Sequence, residues 1–148
     1  MIERMTRFIT ILGAIFLLAG CFDAIEEQTT IDGTPEDAVL NFFEAVYNKR
    51  DIDQVLYLSS ARMKRLVKSY AAISNVQRHL LNLSYDKVNI ALDTGNSKLR
   101  TQFSKNSRIS VFFSGTYFDD KIEELRIATM IKEDGKWRVD RVEAGGFY

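Results

Sequence analysis

The spacing of apolar residues changes once along this chain, and the change restricts the folds open to it. Up to Leu81 apolar side chains recur at helical intervals, whereas beyond Asn82 they alternate residue by residue. A period of 3.6 lays an apolar stripe along a helix, and a period of 2 lays an apolar face along a strand. Helices first and consecutive short strands afterwards describe an α+β domain, with helices packed on one face of an antiparallel sheet.

The helical part opens with Thr34 as N-cap, Pro35 at the first helical position, and Glu36 and Asp37 against the positive end of the helix dipole. Ala38, Val39, Phe42, Phe43, Val46 and Tyr47 then form one apolar face. Asn48-Lys49-Arg50 interrupts the pattern, and Asp51 or Asp53 can cap a short second helix carrying Val55, Leu56 and Leu58. Ser59 or Ser60 caps a third, with Met63, Leu66, Val67 and Tyr70 on one face; the spacing continues it to about Leu81 with a kink near Ser74-Asn75. In the alternating part, Val88, Ile90 and Leu92 predict the first strand, Leu99, Thr101 and Phe103 the next, and Ile109, Val111 and Phe113 the one after. A break follows around Phe118-Asp119-Asp120. Ile122, Leu125, Ile127, Thr129 and Ile131 are expected to form a fourth strand, with some loss of phase at its start. Asp134-Gly135 marks a tight hairpin, and Trp137, Val139 and Val142 the last strand.

Ahead of this domain stands a segment of another kind. Arg4 and Arg7 precede an apolar stretch, Phe8 to Ala19, that ends in small residues, the layout of a signal peptide. The apolar run from Phe8 to Phe22 is 15 residues, short of the roughly 20 that cross a bilayer. Leu18-Ala19-Gly20-Cys21 resembles the lipobox of bacterial lipoproteins. That resemblance implies cleavage between Gly20 and Cys21, a diacylglyceryl group on the Cys21 thiol and acylation of its amine, and one acyl chain alone would bind a membrane only marginally. In enterobacterial lipoproteins an aspartate after the cysteine is the inner-membrane retention mark. Phe22 stands in that place, which implies an outer-membrane address facing the periplasm. Residues 1–20 are thus expected to be a signal peptide, 21–33 the lipidated cysteine with an acidic tether, and 34–148 the folded domain. As flexible chain the tether spans about 20 Å, so the domain stays near its own bilayer.

Cys21 is the only cysteine, so once lipidated it leaves the domain no disulfide. Fifteen aromatic residues beyond the signal supply the core instead. Charge is unevenly spread: seven acids and no bases from Cys21 to Asn48, 12 bases against four acids from Lys49 to Arg108, and eight acids against six bases thereafter. A basic middle suits an anionic partner, lipid headgroups or cell-wall polymer, or else a solvated face paired with the acidic start. Nucleic acid is not expected at an envelope address.

The order of elements, with the stretches Thr34 to Ala45, Asn48 to Asp53 and Lys132 to Val139, resembles the nuclear-transport-factor-2-like superfamily. This α+β cone also builds ketosteroid isomerases, polyketide cyclases and many small bacterial lipoproteins. The resemblance implies N-terminal helices packed on a curved antiparallel sheet of four to five strands, and these motifs specify architecture without specifying chemistry.

Chemistry-bearing motifs are sparse. His79 is the single histidine, no zinc box, P-loop, dinucleotide fingerprint or nucleophile elbow occurs, and no cofactor or metal is expected. Asp51 and Asp53 read as helix caps, and Asp119-Asp120 with Glu123-Glu124 as a solvated acidic turn. A cone-pocket isomerase or cyclase needs a carboxylate base and a phenol. Tyr47, Tyr57, Tyr70 and Tyr117 offer phenols, but no Asp or Glu takes a clearly inward strand position in this reading, so no catalytic residue is assigned. The expected role is a non-catalytic binding or adaptor domain for an envelope protein or apolar small ligand. A cone-pocket enzyme, an apolar-ligand carrier and a structural subunit of an envelope or secretion assembly stay open as alternatives. Phe112, Phe118, Trp137 and Phe147 are the candidate partner surface, and the sheet face is a candidate homodimer contact.

Overall fold

A computed structural model describes residues 33–93 and 106–145. The signal segment, Gly20, Cys21, nearly all of the tether, the strand expected at Leu99–Phe103, and Phe147 lie outside the described residues.

Helix α1 (Pro35–Tyr47) starts as its residue types dictate: Thr34 Oγ1 accepts the Asp37 amide at 3.1 Å and donates to the Asp37 carboxylate at 2.6 Å. Arg50 then takes a left-handed conformation, φ 55°, and turns the chain into α2 (Ile52–Tyr57). Asp51 caps α2, accepting the amides of Asp53 and Gln54 at 3.0 Å each. Helix α3 (Ala61–Tyr70) begins at buried Ser60, whose hydroxyl oxygen accepts the Met63 amide at 3.1 Å and donates to Asp140 at 2.7 Å.

The sequence expected α3 to run on to Leu81 with a kink at Ser74-Asn75. Instead the helix ends at Ala71, φ 60°, and the Asn75 amide caps the freed Tyr70 carbonyl at 3.1 Å. With no glycine or proline at residues 71–72, nothing local announces this end. A single turn, α4 (Ile73–Asn75), then widens into a π-helix at Val76–Leu80, closed by Leu81 N–H to the Val76 carbonyl at 2.9 Å. Such wide turns are uncommon and concentrate at functional sites.

Strands β1 (Lys87–Leu92), β2 (Asn106–Tyr117), β3 (Asp120–Glu133) and β4 (Lys136–Ala144) form one antiparallel sheet in chain order. Both long hairpins close on two residues with positive φ, Phe118-Asp119 and Asp134-Gly135, the geometry whose twist matches paired strands. A bulge between Thr129 and Met130 leaves Asp140 unpaired on β4, and its carboxylate and carbonyl take Ser60 and Arg62. The outer edge of β4 is covered by Leu58–Ser60, through Val139 N–H to the Leu58 carbonyl at 2.8 Å and Ser60 N–H to the Val139 carbonyl at 2.9 Å.

The helices bury Val39, Phe42, Phe43, Val46, Val55, Leu58, Met63 and Val67 against Ile109, Val111, Phe113, Ala128, Met130 and Val139 of the sheet. The apolar residues that marked the fourth strand lie in β3 but turn mostly outward. Its fully buried residues are Ala128 and Met130, whereas Leu125, Ile127, Thr129 and Ile131 share the outer face and are half-buried. The cause is register. The Phe118-Asp119 turn pairs Tyr117 with Asp120, and counting back from there sets Ile109 opposite Ala128, Val111 opposite Arg126 and Phe113 opposite Glu124.

Candidate functional site

That register brings charge to the inner face. Glu124 and Arg126 stand on the helix side of the sheet, next to Val111 and Phe113, with Glu124 Oε2 and Arg126 Nη2 3.9 Å apart. The reading that no carboxylate faces inward on a strand is thereby corrected: the more apolar of the two faces of β3 points outward. Above these residues sits an aromatic cluster. Phe43 meets Phe113 edge-on at 4.9 Å, Tyr47 meets Tyr85 at 5.6 Å and Phe113 at 5.7 Å, and Tyr85 stacks on Phe113 at 6.3 Å. Gly115 admits the Tyr85 ring, because a Cβ there would lie 2.8 Å from Tyr85 Cδ1 and 2.2 Å from the Lys87 carbonyl.

The two phenols differ in satisfaction. Tyr47 donates to the Leu83 carbonyl at 3.1 Å, and burial pushes its pKa far above the ordinary 10.0. Tyr85, 3% exposed, is pushed up to about 12, first by burial and then by the Glu124 carboxylate. Its hydroxyl is buried and meets no hydrogen-bond partner among the described residues, and the same holds for Arg126 Nε. Arg126 Nη2 reaches the Asn82 carbonyl at only 3.5 Å. At neutral pH this group offers a neutral phenol and a guanidinium as donors, and one partly exposed carboxylate.

Two clefts open at the same end of the domain. The smaller, about 160 Å³, lies between α4 and the π-helical turn, which supply Ser74, Gln77 and Arg78, and the strand side, which supplies Ser84, Tyr85, Asp86 and Tyr117. The larger and shallower one, about 550 Å³, is lined by Tyr47, Asn48, Lys87 and Val88. Arg50 and Asp86 belong to both. Gln77 is anchored by donating to the Val46 carbonyl at 2.7 Å, and Asp86 by accepting the Phe118 amide at 2.8 Å. Arg50 and Arg78 form no ion pair among the described residues.

The candidate partner residues are not gathered into one surface. Phe112 lies on the outer sheet face opposite Leu125 and Ala91, Phe118 is 75% exposed at a hairpin tip against Tyr117, and Trp137 packs at the margin of the core with Lys132 over its ring at 5.8 Å. Among the phenols, Tyr57 lies under the Arg138 guanidinium at 4.5 Å and Tyr70 stacks on His79 at 6.3 Å, away from Glu124. Glu123 and Glu124 point to opposite faces, and no metal-binding group of three ligands occurs among the described residues. Tyr85, Arg126, Arg50 and Arg78 escaped the sequence reading. A two-residue turn at Phe118-Asp119, had phenylalanine signalled one, would have exposed Glu124 and Arg126 by counting; nothing local marks the other three.

No family model and no curated protein matches the sequence. Among solved structures, the chain is similar to a variant of Rd1NTF2_05, a designed nuclear-transport-factor-2-like protein. The match has a TM-score of 0.53 at 12% identity and covers 74% of this chain and 95% of that one. At that identity the likeness concerns the fold alone: the domain shares the α+β architecture of that designed protein, helices packed on a curved antiparallel sheet.

Proposed function

We propose that this chain is a lipid-anchored envelope lipoprotein whose cone domain binds a partner without catalysing a reaction. The observation that carries the binding reading is the filled interior. Where a cone enzyme would keep room for substrate, Phe43, Tyr47, Tyr85 and Phe113 close on one another with at most 4% exposure. Among the described residues the two clefts that open to solvent carry charged side chains, Arg50, Arg78, Asp86 and Lys87. Cys21 as lipid acceptor, an outer-membrane position facing the periplasm, and a tether of about 20 Å belong to the same proposal. Among the described residues no helix is long and apolar enough to cross a membrane.

In-cell crosslinking of the anchored chain followed by mass spectrometry tests the binding role: a reproducible partner or ligand supports it, and recovery at background across growth conditions counts against it. Cys21→Ala should leave uncleaved or non-acylated protein; a mature mass carrying the same acyl groups refutes the anchor. One observation favours a second reading, a cone-pocket isomerase or cyclase, namely Glu124 on the inner face beside Tyr85. Glu124 is 39% exposed and lies 3.9 Å from Arg126, whereas a cone enzyme holds its carboxylate base in a closed apolar pocket within reach of the substrate. Enolisation of a ketosteroid probe lost in Glu124→Gln would favour the enzyme.

A further inference from the structure

We propose that the 160 Å³ cleft between the π-helical turn and the Ser84–Asp86 segment binds a phosphoryl group, held between the guanidinium groups of Arg50 and Arg78. This deepens the binding reading above and rests on it. Both arginines line the cleft and neither is engaged by a carboxylate among the described residues. Arginine presents a planar fork matched to phosphate oxygens, and its charge-assisted hydrogen bonds are about twice as strong as neutral ones. Ser74, Ser84 and Tyr117, each carrying a hydroxyl, line the same space from the helix and strand sides. Donors on several sides suit a tetrahedral anion better than a planar carboxylate. The volume equals that of about five waters at roughly 30 Å³ each, room for a phosphate but not for a folded peptide.

The one carboxylate present, Asp86, is turned to use: it accepts the Phe118 amide at 2.8 Å. With Lys87 in the adjoining cleft, three cations face one anion across the two openings. The π-helix explains how Arg78 comes to be there. Its neighbour Gln77 is pinned inward by the Val46 carbonyl at 2.7 Å, and the wide turn leaves Arg78 exposed beside Ser74 at the cleft wall.

Titration calorimetry of the full chain in detergent tests this with inorganic phosphate, glycerol 1-phosphate and acetate, and flotation of the anchored chain tests it with vesicles containing phosphatidic acid. Saturable binding of inorganic phosphate or glycerol phosphate assigns a free phosphoryl ligand. Binding to phosphatidic acid vesicles alone, above phosphatidylcholine controls, assigns a lipid headgroup; both outcomes support the proposal. Arg50→Gln and Arg78→Gln should each weaken binding about tenfold, and the double variant should abolish it, while Arg108→Gln, at a position paired with Glu143 on the outer face, leaves it unchanged. Both cleft arginines are exposed, so unfolding temperatures should match the parent. Absence of saturable binding in every arm, equal affinity in the double variant, or acetate binding as well as phosphate overturns the inference. If the double variant still captures the same partner in cells, the binding role stands and the phosphoryl assignment alone fails.

Discussion

Replacing Gly115 by alanine should destabilise the domain, although alanine usually suits a strand better than glycine. The usual advantage is about 0.5–1 kcal/mol in alanine's favour. At this position the new Cβ would lie 2.2 Å from the Lys87 carbonyl oxygen and 2.9 Å from Val88 Cα, both backbone atoms of β1, and 2.8 Å from the Tyr85 ring. Side chains can turn aside, but a paired strand can only move away, and Gly115 lies directly opposite Val88. Overpacking of this kind costs about 1–3 kcal/mol. Weakening two ladder hydrogen bonds adds about 0.5–1.5 kcal/mol each. After the propensity gain the net loss is about 1–5 kcal/mol, which for a domain of this size lowers Tm by about 5–25 °C. Thermal unfolding followed by circular dichroism reads this directly. Gly135→Ala is the control: its φ of 80° makes alanine strained, but no atom lies within 4 Å, so the cost is about 1–2 kcal/mol. An unchanged or raised Tm for Gly115→Ala would refute the close approach of β1 to β2 and the seating of Tyr85 derived from it.

Tyr47→Phe and Tyr85→Phe should behave oppositely in denaturant titration. The first strands the Leu83 carbonyl and costs about 1–2 kcal/mol, whereas the second removes a buried hydroxyl without a partner and is neutral or stabilising. Ser60→Ala should cost about 1–2 kcal/mol in the same assay, because one hydroxyl caps α3 and holds the β4 bulge through Asp140. At high pH the domain should lose stability. The Tyr85 pKa is raised from 10.0 to about 12, so the contribution of its neutral phenol is complete below pH 10 and is lost as pH rises to about 12. The slope is at most about 1.4 kcal/mol per pH unit, and urea titrations at pH 9 to 12 should show a shallower fall in Tyr85→Phe than in the parent.

Much of the architecture was legible because it depends on neighbours in sequence. Thr34, Asp51 and Ser60 cap helices through amides two or three residues away, and Asp134-Gly135 turns a hairpin on its own backbone preferences. The end of α3 was not legible. Ala71 holds a conformation it does not favour, and the Asn75 side chain that compensates is an ordinary polar residue in any linear reading. Nor was the inner face of β3. Leu125, Ile127 and Ile131 outscore Arg126, Ala128 and Met130 as an apolar set, and only pairing with β2 decides between them.

By itself, the sequence determined that helices precede strands, the starts of α1, α2 and α3 and the core of α1, because those follow from local hydrogen bonds and a repeating apolar period. The proposed role of Leu18-Ala19-Gly20-Cys21 as a lipidation signal likewise rests on the sequence alone. Tertiary structure alone decided the site. Glu124 and Arg126 face inward because a two-residue turn sets the register of β3, and Arg50 and Arg78 line one cleft because a left-handed residue and a π-helical turn bring positions 28 residues apart to the same opening. Register and chain reversal are properties of paired segments, and no single segment encodes them.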